Sequence, residues 1–402
     1  MRTRSHTFRP DSQPRAGSLS LLFGICLLLP VLQAATWRVE RDGSGDFATL
    51  QPAVDGAAPG DTILIGPGRY TESTIFPYDN EFGQGETFVG VQVDSLTLIG
   101  CHRDSVNIGP DVANLQNFLP KGIAARAGFI TSLTVQSMTL QNVYEGVRMR
   151  GRCTVSDYKS QDCGSAVFAG TGSMPHVRDS VVIGSVESGM TLFRTDGALI
   201  EDVSFDDGPL ADNIDVIESS NVTIRRCQFA GTNIVQFQGG STGFVDDCTF
   251  QESPTIALNL VINSNVEVRN SQFSGSGTSA RSSDFSFLSG SGNLFAMNST
   301  NTLRFTSQGG ASLTNNDIRI SETGYTVELS GYSINPDIIE IDLTSNYWGT
   351  TDLDSIAGEI LDFNDLSGIK GIVNFEPVRT TSVPIQVRSL GELKALFRGK
   401  DD

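Results

Sequence analysis

Histidine and basic residues are scarce in this 402-residue sequence, and apolar runs long enough to approach a membrane span occur once. The three histidines, His6, His102 and His176, stand far apart, at no spacing that would ligate a metal together. Against 46 acidic residues there are 28 basic ones, a formal charge of −18. A surface so acidic repels phosphate backbones, which excludes nucleic acid as a partner and favours calcium or a cationic partner. The glycines of DGSGD at 42–46 are not followed by the Gly-Lys-Ser/Thr that a phosphate-cradling loop requires. The one apolar run, Leu19 to Leu32, contains Pro30 and holds about 14 residues, short of the roughly 20 that cross a bilayer.

That run has another reading. Arg2, Arg4, Arg9 and Arg15 precede it and the small residues Ala34 and Ala35 close it, so residues 1–34 are expected to be a secretory signal. Cys26 sits mid-run behind the bulky Ile25, which argues against lipid attachment. The protein is thus expected outside the cytoplasm: in a periplasm, on a cell surface, or free in the medium. Removing four Arg and one Asp leaves 24 basic and 45 acidic residues, a formal charge of −21. Five cysteines remain, Cys101, Cys153, Cys163, Cys227 and Cys248, and an odd set cannot pair completely, so the chain is no disulfide-stapled miniprotein.

What the sequence has in quantity is repetition. SMTL (137–140), SVVI (180–183), and triplets ending at Phe205, Phe229, Phe250 and Phe273 return at about 22 residues. A second phrase follows each: EGVRM from Glu145, GSAVFA from Gly164, SGMTLF from Ser188, NIDVIE from Asn213, TNIVQF from Thr232, TIALNL from Thr255. Both alternate apolar and polar residues, with Gly, Asn, Asp and Ser at the joints, as half-buried strands do. Two short strands per repeat and no helix predict an all-β solenoid, each turn of chain pairing with the last about 4.8 Å away around one apolar column. Cys227 and Cys248, each two residues before a repeat Phe, should stack inward as buried thiols, a disulfide or metal pair being the alternative.

An open column end exposes core and unpaired strand edges, so a lid is needed. Thr49 as N-cap and Pro52 in the first turn predict a short helix with Leu50, Ala53, Val54 and Ala57 on one face, followed by TILI (62–65) as the first strand. Residues 278–340 repeat less clearly and are assigned to the same solenoid. The whole domain is expected over 36–378. The tail, 379–402, sets Leu390, Leu393, Leu396 and Phe397 on one helical face, as a docking helix or a sorting signal.

The stretch from Asp42 to Glu72, DSLTLIGCHRDSVNI at 94–108 and the closing NYWGTTDLDSIAGEILDFNDLSGIKGIVNFEPV at 346–378 resemble the secreted right-handed parallel β-helix proteins of the pectin lyase-like superfamily; the opening is similar to that of pectin methylesterases. The resemblance implies a right-handed parallel β-helix with a short N-terminal capping helix, and a groove on the outward face of one stacked sheet. It specifies fold rather than activity, since one solenoid hosts many chemistries.

With Val147, Met149, Met190, Leu192, Ile214 and Val216 inward, alternation puts Arg148, Thr191 and Asp215 outward in one ladder, with Arg150 and Arg194 at its margin. Substrate-binding candidates are therefore Asp212, Asn213, Asp215 and Arg148. The loop FDDGPLADNIDV (205–216) adds Asp206 and Asp207, and the set Asp206, Asp207, Asp212 and Asp215 offers hard oxygens for calcium. A solvated turn is the plainer reading of the same composition. The paired Asp, Gln and Arg strings of a pectin methylesterase are missing. Asn213-Ile214-Asp215 resembles the Asn-x-Asp of polygalacturonase-like hydrolases, but Thr232 and Asn233 stand where the next turn's carboxylate pair belongs, which removes the two-carboxylate mechanism. A lyase needs less: a uronate neutralised by calcium on Asp207, Asp212 and Asp215, and Arg148 or Arg194 as base, although the lyases' Arg-Pro signatures are absent. Two expectations result: a protein that binds polysaccharide or a surface polymer along its wall, or a lyase-type enzyme acting on uronate-rich glycan.

Overall fold

The computed structural model describes residues 34–79, 83–111, 120–126, 128, 130, 132–206, 212–231, 235–332 and 339–384. The expected signal over 1–34, all but its last residue, the expected helical face of the tail, Asp207, and the start of the TNIVQF phrase fall outside them. The described chain forms a parallel β-helix. A first sheet of 21 strands and a second of 13 share one core, and the paired turns follow one another at the repeat spacing read in the sequence.

Each turn bends where one residue takes a left-handed backbone. Asp157, Asp179, Asp202, Arg226, Asp247, Asn270 and Asn315 do so within or between strands of the first sheet, with φ between 49° and 59°. Asp and Asn tolerate this region because their short side chains bond locally, which explains their place at the joints. Cys227, Cys248, Ser271, Asn293, Asn316 and Asn346 come next in the stack of turns. There the Ser271 backbone N–H donates to Asn293 Oδ1 at 2.9 Å, that of Asn293 to Asn316 Oδ1 at 3.0 Å, and that of Asn316 to Asn346 Oδ1 at 2.7 Å. The amides thus saturate backbone groups that the corner takes out of the sheets. Cys227 and Cys248 lie buried above this ladder, free and not bridged. Burial raises the Cys248 thiol well above its usual range.

Inside, alike residues form columns. Val147, Val167, Met190, Ile214, Val235, Leu258, Ala280, Leu303 and Val327 pair in sequence through the second sheet and are all fully buried. The repeat phenylalanines stack ring on ring: Phe205, Phe229, Phe250, Phe273 and Phe295, with centroids 5.1, 4.7, 4.4 and 5.0 Å apart. Residues 278–340 continue both sheets, through Thr278–Ser283, Asn301–Thr306 and Val327–Ser330 on one and Phe287–Ser291 and Gly310–Leu313 on the other.

The lid helix, α1, spans Leu50–Gly56 and buries Leu50, Ala53 and Val54. Thr49 holds the N-cap position in an extended conformation, but its hydroxyl makes no capping bond. The first strand is not TILI but Thr36–Val39, which pairs in parallel with Thr62–Ile65. Trp37 and Ala35 are drawn in by Asp61, whose buried carboxylate accepts from the Trp37 indole at 3.0 Å and from the Ala58 backbone at 2.9 Å. These bonds lower its pKa.

Candidate polymer-binding wall

The outward row of the second sheet is continuous. Ala124, Arg148, Phe168, Thr191, Asp215, Gln236, Asn259, Arg281, Arg304 and Glu328 are register partners from each turn to the next. The predicted ladder of Arg148, Thr191 and Asp215 is therefore one row, with Phe168 inserted between its first two members. A second outward row beside it holds Glu145, Ser165, Ser188 and Asp212.

One end of this wall is closed. Thr74–Asp79 folds back antiparallel on Gly83–Val91 and lays Phe76 and Tyr78 against Ala124. Phe76 fits because Gly90 has no side chain; a Cβ there would lie 2.1 Å from the ring. Under this cover Arg148 is only 3% exposed. Its Nη1 donates to both oxygens of buried Glu145, at 2.8 and 2.9 Å, and its guanidinium lies 4.6 Å from the Phe168 ring centre and 5.8 Å from that of Tyr78. Arg148 thus corrects the sequence expectation: it faces outward but is buried and ion-paired, so it serves as foundation rather than as an open ligand or base. Lys121 Nζ, 4.3 Å from the Tyr78 ring centre, completes the plug.

Asn213 needs a second correction. It is fully buried, and among the described residues both ends of its amide lack hydrogen-bond partners. Asn213 and Ile214 are buried in succession, as are Ala166-Val167 and Ala257-Leu258, so in these strands two inward residues follow the first residue before alternation sets in. Parity counted back from Asp215 consequently fails, and Asn213 cannot touch a polymer lying on the wall. Arg194 stands at the turn after Ser188–Phe193 with φ 52°, bonded to Glu218 through Nε at 2.6 Å.

The loop acids divide. Asp206 ends a strand of the first sheet, in register with Ile183 and Ala230, and is exposed. Asp212 and Asp215 stand on the second sheet. Among the described residues no group of three or more metal-type side chains comes together. What does come together is a carboxylate pair bordered by amides and hydroxyls. Gln238 Nε2 donates to Asp215 Oδ1 at 2.9 Å, Asn259 Nδ2 donates to Gln236 Oε1 at 2.9 Å, and the Ser188 and Thr191 hydroxyls are 2.7 Å apart. Burial raises the pKa of Asp215, with bonds from Gln238 and Gln236 opposing. Among the described residues no such donor reaches Asp212; burial first, and the charge of Asp215 second, push it up to about 6.

The Asp212 shift has a stability consequence of definite sign. A carboxylate whose folded pKa lies above its unfolded value destabilises the fold once both states ionise, so the cost is absent below about pH 4 and complete above about pH 6. Asp212→Asn is expected to raise stability at pH 7.5 by on the order of 1 kcal/mol, after allowance for solvent screening of a half-exposed group. The gain should vanish near pH 3.5. Denaturant midpoints of both proteins at the two pH values test this; an equal gain at both would remove ionisation as the cause.

Phe168, Ser188, Gln236, Gln238 and Asn259 were not singled out by sequence reasoning. Their signal was present: Phe168, Gln236 and Asn259 each stand between two inward apolar residues, as Thr191 and Asp215 do.

The chain matches a family model described as a right handed beta helix region over residues 165–318. Among solved structures, it is similar to the A-module of a mannuronan C-5 epimerase from Azotobacter vinelandii, at 14% identity and TM-score 0.45, covering 84% of this chain and 95% of that one. It is also similar to a pectate lyase, at 10% identity and TM-score 0.42, covering 89% of this chain and 82% of that one. No curated protein matches it. The family-model match and the parallel stacking of its turns agree: the chain has a right-handed parallel β-helix fold.

Proposed function

We propose that the protein acts outside the cytoplasm and binds a polysaccharide or similar surface polymer along the outward row of the second sheet. The observation that carries this is the row itself. From Phe168 to Arg304 it presents an aromatic face, a hydroxyl, a carboxylate, two amides and two guanidinium groups at one per turn, over roughly 30 Å at the inter-strand spacing. A rigid line of donors and acceptors at constant pitch suits an extended ligand that is itself periodic and hydroxyl-rich, and a rigid sheet holds those groups without further ordering cost. Among the described residues no helix is long and apolar enough to cross a membrane.

A second reading, an enzyme acting on uronate-rich glycan, is favoured by Asp212 and Asp215: two outward carboxylates stand on one strand, both with raised pKa, and Asp212, pushed up to about 6, is the kind of group that exchanges protons in catalysis. One experiment separates the readings. Purified protein is run in affinity electrophoresis through a panel of neutral and acidic polysaccharides, and each polymer is assayed for unsaturated or reducing-end products. The binding reading expects retardation by at least one polymer, no products, and about tenfold weaker retention for Asp215→Asn, the scale of losing a hydrogen bond to a charged group. Products that disappear in Asp215→Asn would establish the enzyme instead; the absence of retardation and of products with every polymer would refute both.

A further inference from the structure

We propose that Arg281 and Arg304 form an oxyanion subsite on this wall, taking a carboxylate or sulfate group of the bound polymer. The inference rests on the wall's binding a polymer and specifies its chemistry. Arg281 and Arg304 are direct register partners on adjacent turns, in the outward row that runs from Asp215 through Gln236 and Asn259. Like charges facing each other across a parallel pair repel. The other sheet avoids this arrangement. Its outward row reads Arg178, Glu201, Arg225, Asp246 and Arg269, and the sign changes at every turn. There Arg225 Nε donates to Glu201 at 2.8 Å, and His176, Arg225 and Arg226 hold that carboxylate down to about 2 against its burial. A chain with 46 acidic residues has carboxylates enough to do the same on the second sheet. Beside Arg281 it places Asn259 on one side and another arginine on the other.

The unmet bonding is on the guanidinium groups. Among the described residues Arg281 makes no ion pair, and its Nη2 reaches only the Thr306 hydroxyl, at 3.5 Å. Arg304 is held from its far side by Glu328 at 3.3 Å. Among the described residues the Nε–H groups of both arginines are buried without acceptors. A guanidinium fork is matched by the two or more coplanar oxygens of a carboxylate or sulfate, and two stacked forks offer such a group more donors than one. The external anion would also relieve the repulsion that the fold leaves in place. The subsite lies three turns from Asp215, about 14 Å at the strand spacing, so the anionic group of the ligand would stand clear of the Asp212–Asp215 pair.

The test uses two polymer pairs that differ in charge alone, polygalacturonate against its methyl ester and dextran sulfate against dextran, with wild type, Arg281→Gln and Arg281→Lys. Wild type is expected to bind the anionic member of at least one pair about tenfold or more tightly than its neutral partner. Arg281→Gln should lose that preference while melting at the same or a higher temperature, and Arg281→Lys, which keeps charge but not the fork, should recover part of it. Preference within the first pair assigns a carboxylate, within the second a sulfate. Equal binding of anionic and neutral members, or an Arg281→Gln that keeps the preference, overturns the subsite and leaves the wall standing. Failure of every polymer to bind removes the wall and the subsite with it.

Discussion

Phe250→Ala is expected to cost about 3–5 kcal/mol of folding stability, the range for emptying an aromatic site in a packed core. Phe250 is the middle ring of five, buried to 1% exposure, with neighbours at 4.7 and 4.4 Å on either side. Truncation therefore breaks two stacking contacts and leaves a cavity whose floor and roof are the rings of the adjacent turns. Those turns are held in place by the backbone ladder and relax little, so the cavity term is large. Because each turn of a solenoid leans on its neighbours, the loss should spread to the pairings of Thr249–Gln251 with Gln228–Ala230 above and Gln272–Ser274 below. Denaturant unfolding of wild type and variant measures the cost. Phe285, 65% exposed, is the internal comparison: its alanine variant should lose far less. A Phe250→Ala protein within about 1 kcal/mol of wild type would contradict the packing of the column.

The architecture was legible because burial in a solenoid repeats with the chain. The spacing of the phenylalanines announced a stack that the rings form, and the Asp, Asn and Gly joints announced bends that now carry left-handed φ values. The outward placement of Thr191 and Asp215 followed from period-two alternation. The same rule failed at Asn213, because the doubled inward residues at strand starts shift the phase, and no composition or spacing signals that shift. Arg148 was read correctly for direction and wrongly for exposure. What covers it, Tyr78, comes from a strand that folds back antiparallel some 70 residues earlier, a contact outside the repeat that local pattern cannot reveal. Arg281 and Arg304 went unremarked for a related reason. Each is ordinary alone, and only the register that makes them partners shows two positive charges where the other sheet alternates.

Apolar burial and polar conflict divide between the two faces of the second sheet. Inward columns supply apolar burial, while the two outward rows keep groups that cost stability: Asp212 with a raised pKa, and an arginine pair without a shared counter-ion. Such local conflicts are expected where a surface is shaped for a ligand. The first sheet shows the contrary pattern, with charges alternating in sign along Arg178, Glu201, Arg225, Asp246 and Arg269, and leaves less for a ligand to satisfy.

The most direct test of the wall is to obstruct it. Gln236 is central in the outward row of the second sheet, between Asp215 and Asn259, and Thr223 holds an outward position on the first sheet, between Leu199 and Phe244. Each is replaced by tryptophan in a protein whose melting temperature is checked, and the affinity for a retained polysaccharide is measured. The account predicts that Gln236→Trp abolishes retention, a loss of about a hundredfold or more, because a bulky ring interrupts a ligand spanning several turns, while Thr223→Trp binds as wild type does. Unchanged binding by a folded Gln236→Trp protein, or loss confined to Thr223→Trp, would place the ligand elsewhere and contradict it.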